Sequence, residues 1–232
     1  MDEVAALSEY YRRTAEQYDA MHLGDAAHEF ALAAMVGLLD QLGIRSILDV
    51  GSGTGRAVLA VKDKSIKVVG VEPSDRLREM GYRKGIRSDE LIDGDAHALP
   101  FKDKSFDLVC AFGIMHHLVD PDKAAREMVR VARRAVFISD HNDYGRGSFL
   151  TTTLKQAAKE TGLWWLYRLL ITRGKGYRIT DDDGLWYPYS IFDTYKAIKP
   201  HCVKIRFLST SDSGPNLYRS ASHVAMLGLL KG

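Results

Sequence analysis

Three glycines in five residues, within Asp49-Val-Gly51-Ser-Gly53-Thr-Gly55, carry the clearest chemical signal in this chain. Glycine lets a backbone turn through positive φ and come close to a ligand without a Cβ in the way. They sit between a short apolar run and a helical stretch, so they deliver the free N–H groups and partial positive charge of a helix start. The third glycine follows the second by two residues rather than three, and an aspartate lies two before the first. That departs from the dinucleotide pattern GxGxxG. Glu72, followed by Pro73, stands 21 residues after Gly51 at the end of the next apolar run. An acid at that place can accept hydrogen bonds from both hydroxyls of a ribose. Gly94-Asp95-Ala96 ends a third, weaker run, where a carboxylate can accept from an exocyclic amine such as that of adenine.

Histidines supply the candidates for proton transfer. The stretch LPFKDKSFDLVCAFGIMHHLVDP (99–121) brings a strand, the tip Phe112-Gly113 and the pair His116-His117 to the same end of the molecule. A neutral imidazole there can take the proton of a hydroxyl. Asp140-His141 ends a later strand and pairs a base with an orienting carboxylate. Capping the helix near Asp120, or packing beneath a ligand, is the competing role for His116 and His117, and a solvated loop is the competing role for His141. The spacing of His and acidic residues matches no HxxxH or zinc pattern, so no metal is expected.

The elements that must position these residues alternate. SILDV (46–50), KVVGVE (67–72), ELIDGD (90–95), SFDLVCAFG (105–113) and AVFISD (135–140) read as strands, and helices separate most of them. Ser74 caps DRLREMGYRK, another helix runs from Pro121 to Val131, and Gly43 ends the helix before the first strand. Apolar strands without alternation imply a parallel sheet covered on both faces. Two helices, 3–19 and 26–42, precede it. CVKIRFLST (202–210) and SHVAMLGLL (222–230), joined through SDSGPN, are expected to pair as an antiparallel hairpin at the sheet edge. Between them and the core, residues 141–200 hold eleven of the 22 aromatics and all three tryptophans, the composition of a cap.

The 232 residues suit one α/β domain, with 46% hydrophobic and 27% charged residues. A formal charge of +2, with both signs mixed along the chain, lacks the basic stripe of a protein that grips nucleic acid. Cys110 and Cys202 lie singly in apolar runs and read as buried hydrophobes of a reducing compartment. The N-terminus lacks a signal-peptide pattern, and no apolar run approaches the roughly 18 residues of a membrane span. A cytoplasmic protein is the expectation.

In this motif order the sequence resembles the class I S-adenosylmethionine-dependent methyltransferases, in their small-molecule branch, over about residues 8–140. The resemblance implies a Rossmann-like sheet, mostly parallel with an antiparallel C-terminal edge hairpin and helices on both faces. It divides one domain into a helical lid (1–45), a cofactor core (46–140), an aromatic cap (141–200) and edge strands (201–232). It implies that Gly51, Gly53 and Gly55 cradle the methionine part of S-adenosyl-L-methionine, with Asp49 organising the turn. Glu72 and Pro73 would meet the ribose, Asp95 and Ala96 the adenine, and Phe112 the sulfonium. Tyr11 and Tyr18 would close the site from the lid. His117, His141 and His116 are the candidate catalytic residues. The expected reaction is methylation of a small molecule, with a carbohydrate or secondary-metabolite hydroxyl favoured. The alternatives are methylation of an RNA base and a catalytically silent cofactor-binding subunit.

Overall fold

The computed structural model describes residues 3–21, 25–180, 184–211, 214 and 216–232, with side chains from Glu9 onward except Asp63. The tripeptide Asp181–Asp183 of the cap and Asp212, Ser213 and Pro215 of the SDSGPN turn lie outside them.

A central sheet of seven strands runs in the order β3-β2-β1-β4-β5-β9-β8. Its members are β1 (Ser46–Val50), β2 (Lys67–Val71), β3 (Leu91–Ile92), β4 (Phe106–Phe112), β5 (Ala132–His141), β8 (Cys202–Ser209) and β9 (His223–Leu230). The first five pair in parallel, with Leu48 opposite both Val69 and Val109. Side chains on both faces of β1 and β4 are buried, which is why those strands read as unbroken apolar runs. One core layer packs Val50, Val109 and Val136 with Met128 and Val131 of α6 (Pro121–Val131) and Ile198 of α9 (Ile191–Ile198). The other packs Ile47, Leu108 and Phe137 with Met35 and Leu39 at α3 (Ala26–Leu38) and Val58 and Val61 of α4 (Arg56–Val61).

Local signals account for the element ends. The Asp120 side chain accepts from Lys123 N at 2.8 Å and Pro121 occupies the first turn of α6. Ser74 caps α5 (Asp75–Arg83), and Gly43 takes φ +61° just past α3. One element differs from expectation. The third strand contains only Leu91 and Ile92, because Asp93 turns out to Arg78 and Asp95 folds back toward Ala98. The C-terminal strands pair antiparallel as the expected hairpin at the sheet edge, with β9 against β5 and β8 outermost. Their burial patterns match: β8 alternates between half-buried and exposed, whereas β9 is buried through its centre.

The segment after β5 holds α7 (Phe149–Glu160), α8 (Trp164–Ile171) and the small antiparallel pair β6 (Arg178–Thr180) and β7 (Gly184–Trp186). Helix α9 packs on α6 and the sheet as an ordinary crossover, so the cap proper ends near Tyr187. Its anchor is the buried Tyr144, whose hydroxyl donates to Asp193 at 2.8 Å and whose ring meets Trp164 edge-on at 4.8 Å. Before the core, α1 (Glu3–Thr14) and α2 (Tyr18–Met21) reach across to the ends of the strands.

Candidate functional site

At the carboxyl end of β1 the chain makes the expected glycine turn. Gly51 and Gly53 take φ of +67° and +57°, left-handed backbone that a β-branched residue resists. Gly51 and Ser52 donate their N–H groups to Val71 O at 2.8 and 3.0 Å, which pins the turn to β2. Asp49 is buried and accepts the Ser52 hydroxyl at 2.7 Å, so it organises the turn from beneath. Glu72, also buried, accepts Gly53 N at 3.0 Å through one oxygen and Ser74 N at 2.9 Å through the other.

Burial pushes the Asp49 carboxyl up to about 6 and the Glu72 carboxyl up to about 7, with the negative charge of Asp49 adding to the second. A carboxyl raised in the fold favours folding while protonated. Its contribution is complete below the ordinary carboxylate range and is lost as pH rises through its folded value. Replacing Glu72→Gln should therefore flatten the stability profile. Between about pH 5 and about pH 8 the parent chain should lose up to about 3 kcal/mol more than E72Q, read from urea midpoints. Parallel profiles for the two chains would refute this account of Glu72.

A cavity of about 590 Å³ opens above the turn. Of the residues singled out from sequence, Tyr18, Asp49, Gly51, Gly53, Phe112, His116, His117 and His141 line it, while Tyr11, Gly55, Glu72, Pro73, Asp95 and Ala96 do not. Gly55 instead begins α4 in left-handed geometry. Tyr11 backs Tyr18 edge-on at 6.1 Å. Asp95 accepts His97 N at 2.9 Å and meets its ring at 2.8 Å, and Ala96 is buried in the core. Across the mouth, Asp19 accepts the Thr54 hydroxyl at 2.6 Å and pairs with Lys84 at 2.5 Å. Lys84 also donates to Thr54 at 2.8 Å, closing a three-residue latch.

The far end of the cavity is a histidine cluster. His117, His116, His141 and His223 succeed one another with ring centroids 4.0, 4.3 and 4.3 Å apart, and His28 follows at 5.9 Å. Asp140, fully buried, accepts Met115 N at 2.8 Å, His141 N at 2.6 Å and the His116 Nδ1 at 2.7 Å. Although burial opposes its charge, the His116 and His141 rings hold its carboxyl well below the usual range. The sequence expectation paired Asp140 with its neighbour His141. The structure gives the short contact to His116 and leaves the His141 Nδ1 at 3.8 Å, since consecutive strand residues point to opposite faces. The His117 Nδ1 contacts Leu185 O at 2.5 Å, and Tyr187 N donates to His116 O at 2.8 Å, so β7 and the residue after it fix this corner.

His28 and His223 were missed from sequence because they lie 195 positions apart. A local sign existed for the first: Asp25 caps α3 and pairs with the His28 Nδ1 at 2.8 Å. Gly113, at φ +66°, makes room for it, since a Cβ there would stand 2.6 Å from His28 Cε1. The aromatic cap departs from expectation. Neither LWWLYRLL nor LWYPYSIF contributes a ring to the large cavity. Trp164 is buried against Tyr144 and stacks on Tyr167 at 4.8 Å, while Tyr187 and Tyr189 are buried beneath. Trp164, Tyr187 and Tyr189 border a separate hollow of about 260 Å³ together with Lys159, Arg168 and Asp193.

Comparison with known proteins finds likenesses over part of the chain. Residues 48–138 match the family model described as "Methyltransferase domain". A demethylmenaquinone methyltransferase of Thermotoga maritima is 32% identical over 129 residues, covering 53% of this chain and 56% of that protein. Ajmaline N-methyltransferase of Rauvolfia serpentina is 38% identical over 94 residues, covering 38% and 32%. The chain thus spans between about a third and just over half the length of the curated relatives it matches. Among solved structures, magnesium protoporphyrin IX methyltransferase of Synechocystis PCC 6803 with bound SAH superposes with a TM-score of 0.65 at 14% identity, covering 99% and 100% of the two chains.

Proposed function

We propose that the chain is a class I S-adenosylmethionine-dependent methyltransferase that methylates a hydroxyl of a small molecule, such as a carbohydrate or secondary metabolite. One observation carries this reading: a single cavity runs from the glycine turn to the histidine cluster, joining a place for the methyl donor to a place for proton removal.

The residues fit the cofactor. Gly53 turns a bare Cα toward the cavity, where an added Cβ would meet only the Tyr18 ring at 3.5 Å, so the backbone there can approach a ligand. Gly51–Thr54 would hold the methionine part. Glu72 has both oxygens committed to backbone N–H groups, yet each keeps a second lone pair for a ribose hydroxyl. Phe112 forms part of the cavity wall and would lie beside the sulfonium. Tyr18, backed by Tyr11, closes the mouth. When bound, the cofactor supplies an activated methyl group and a thioether leaving group.

The chain then aligns the acceptor oxygen for in-line attack, excludes water and removes a proton. His116 has one ring nitrogen oriented by Asp140, which suits the other for that proton. His141 and His117 flank it. A neutral acceptor fits a cavity whose basic wall residues, Arg56, Lys84 and Arg146, are offset by Asp19, Asp25 and Glu29, better than it fits a polyanion such as RNA. The direct test is transfer of a radiolabelled methyl group from S-adenosylmethionine to fractionated small-molecule extracts. Label appearing only in RNA or protein, or no transfer by a chain that binds S-adenosylhomocysteine, would overturn the reading.

The cap enters as a positioning element. Replacing residues 172–180 by a short glycine linker removes β6, and with it the pairing that steadies β7 behind His117. Turnover should fall about tenfold to a hundredfold with S-adenosylhomocysteine affinity nearly unchanged, because small misplacements of reacting groups are costly. A native rate in that variant would make the segment mere scaffold.

A further inference from the structure

The histidine cluster holds more donors than a base and its orienter require. His116, Asp140 and His141 each offer a ligating atom, and these atoms all lie within 4.8 Å of one another. We propose that His116, Asp140 and His141 form a binding site for a divalent first-row transition ion, with the His223 imidazole next in reach.

Two imidazoles and one carboxylate are a donor set that transition ions take on one face, leaving the opposite positions open. Magnesium and calcium prefer all-oxygen surroundings and do not fit it. The frame is rigid. Asp140 and His141 end β5, and His116 lies in the short 3-10 turn after its neighbour β4. Met115 N fixes the Asp140 oxygen that His116 does not contact. The ligands are buried or half-buried, while His116 and His141 also line the large cavity, so the open positions face an incoming acceptor. Loading would exchange the proton shared between His116 and Asp140 for the ion. The three donors come from sequence positions 24 and one apart, a spacing that no zinc motif anticipates.

This deepens the methylation reading, on which its catalytic role rests. The acceptor oxygen binds an open position, which lowers the pKa of its O–H. With the ion bound, His116 serves as a ligand instead of the base, and the proton passes to a neighbouring imidazole, His117 or His223. An oxygen lone pair forms the new O–CH₃ bond, and the C–S bond breaks with its electron pair going to sulfur. No oxidant or reductant is needed, which suits a redox-silent ion such as zinc.

The experiment is titration of the untagged full-length chain with Co²⁺, followed by its visible d–d bands, and with Zn²⁺ by calorimetry. One ion per chain is expected, with Co²⁺ bands of low-coordinate intensity. His141→Ala and H116A should each weaken binding by about a hundredfold, whereas His201→Ala, remote from the cluster, should not change it. His141 is half-buried, so H141A keeps the test valid even if H116A folds poorly. Calorimetry with S-adenosylhomocysteine on the same samples separates the two ideas. Retained cofactor binding with no Co²⁺ bands, or with bands unaltered in H141A, overturns the metal site alone. Lost cofactor binding in the parent chain overturns the methyltransferase reading.

Discussion

Gly53→Val is expected to weaken S-adenosylhomocysteine binding by at least about a hundredfold while the sheet stays folded. Three effects act on one residue. Its φ of +57° places a β-branched side chain in left-handed backbone, at a cost of roughly 1–2 kcal/mol or more. The isopropyl group would fill the space between the turn and the Tyr18 ring, where the ligand must lie. Shifting the turn to relieve either problem breaks the 3.0 Å bond from Gly53 N to Glu72, the acid proposed for the ribose. Calorimetry reads the affinity, and far-UV circular dichroism with a urea midpoint reads the fold. Affinity within a few-fold of the parent would remove the glycine turn from the cofactor site.

The second large effect concerns His116. H116A should lower kcat by about 10²-fold or more with cofactor affinity retained, and by more than His117→Ala does. The difference follows from their partners: His116 is oriented by a fully buried carboxylate, whereas His117 rests on a backbone carbonyl. Removing the imidazole also takes from Asp140 a side-chain donor at 2.7 Å, so stability should fall by about 1–3 kcal/mol. Both quantities are measured, so a collapsed protein is not mistaken for an inactive one. Near-native turnover in H116A would leave the cluster without a part in the reaction.

The geometry of the glycine turn was legible in the sequence because its information is local. The glycines, their helix start and the acid closing the next strand lie within about 25 residues of chain, and each owes its role to its own backbone. Strand alternation was equally plain, since β1 and β4 are buried on both faces. The acceptor side was less legible for the opposite reason. His223 reaches His141 only because β9 pairs with β5, and no periodicity in 222–230 says whether that strand lies inside the sheet or at its edge. Choosing between His116 and His141 as the partner of Asp140 depended on which face each strand end presents. The cap aromatics misled by composition. Their number suggested a ligand wall, but Trp164 and Tyr144 are used to hold the cap to the core.

The latch across the cavity mouth has a kinetic corollary. Asp19 belongs to α2, while Thr54 and Lys84 belong to the glycine turn and the chain just after α5, so a nucleoside taken between them would first break that ion pair. The barrier to entry is also the barrier to departure, and the spent cofactor leaves by the same door. Because the Lys84–Asp19 pair is partly exposed, salt weakens it. Dissociation of S-adenosylhomocysteine should therefore quicken with ionic strength in the parent chain and lose that dependence in Lys84→Met. In an enzyme limited by product release, moderate salt then speeds turnover rather than slowing it.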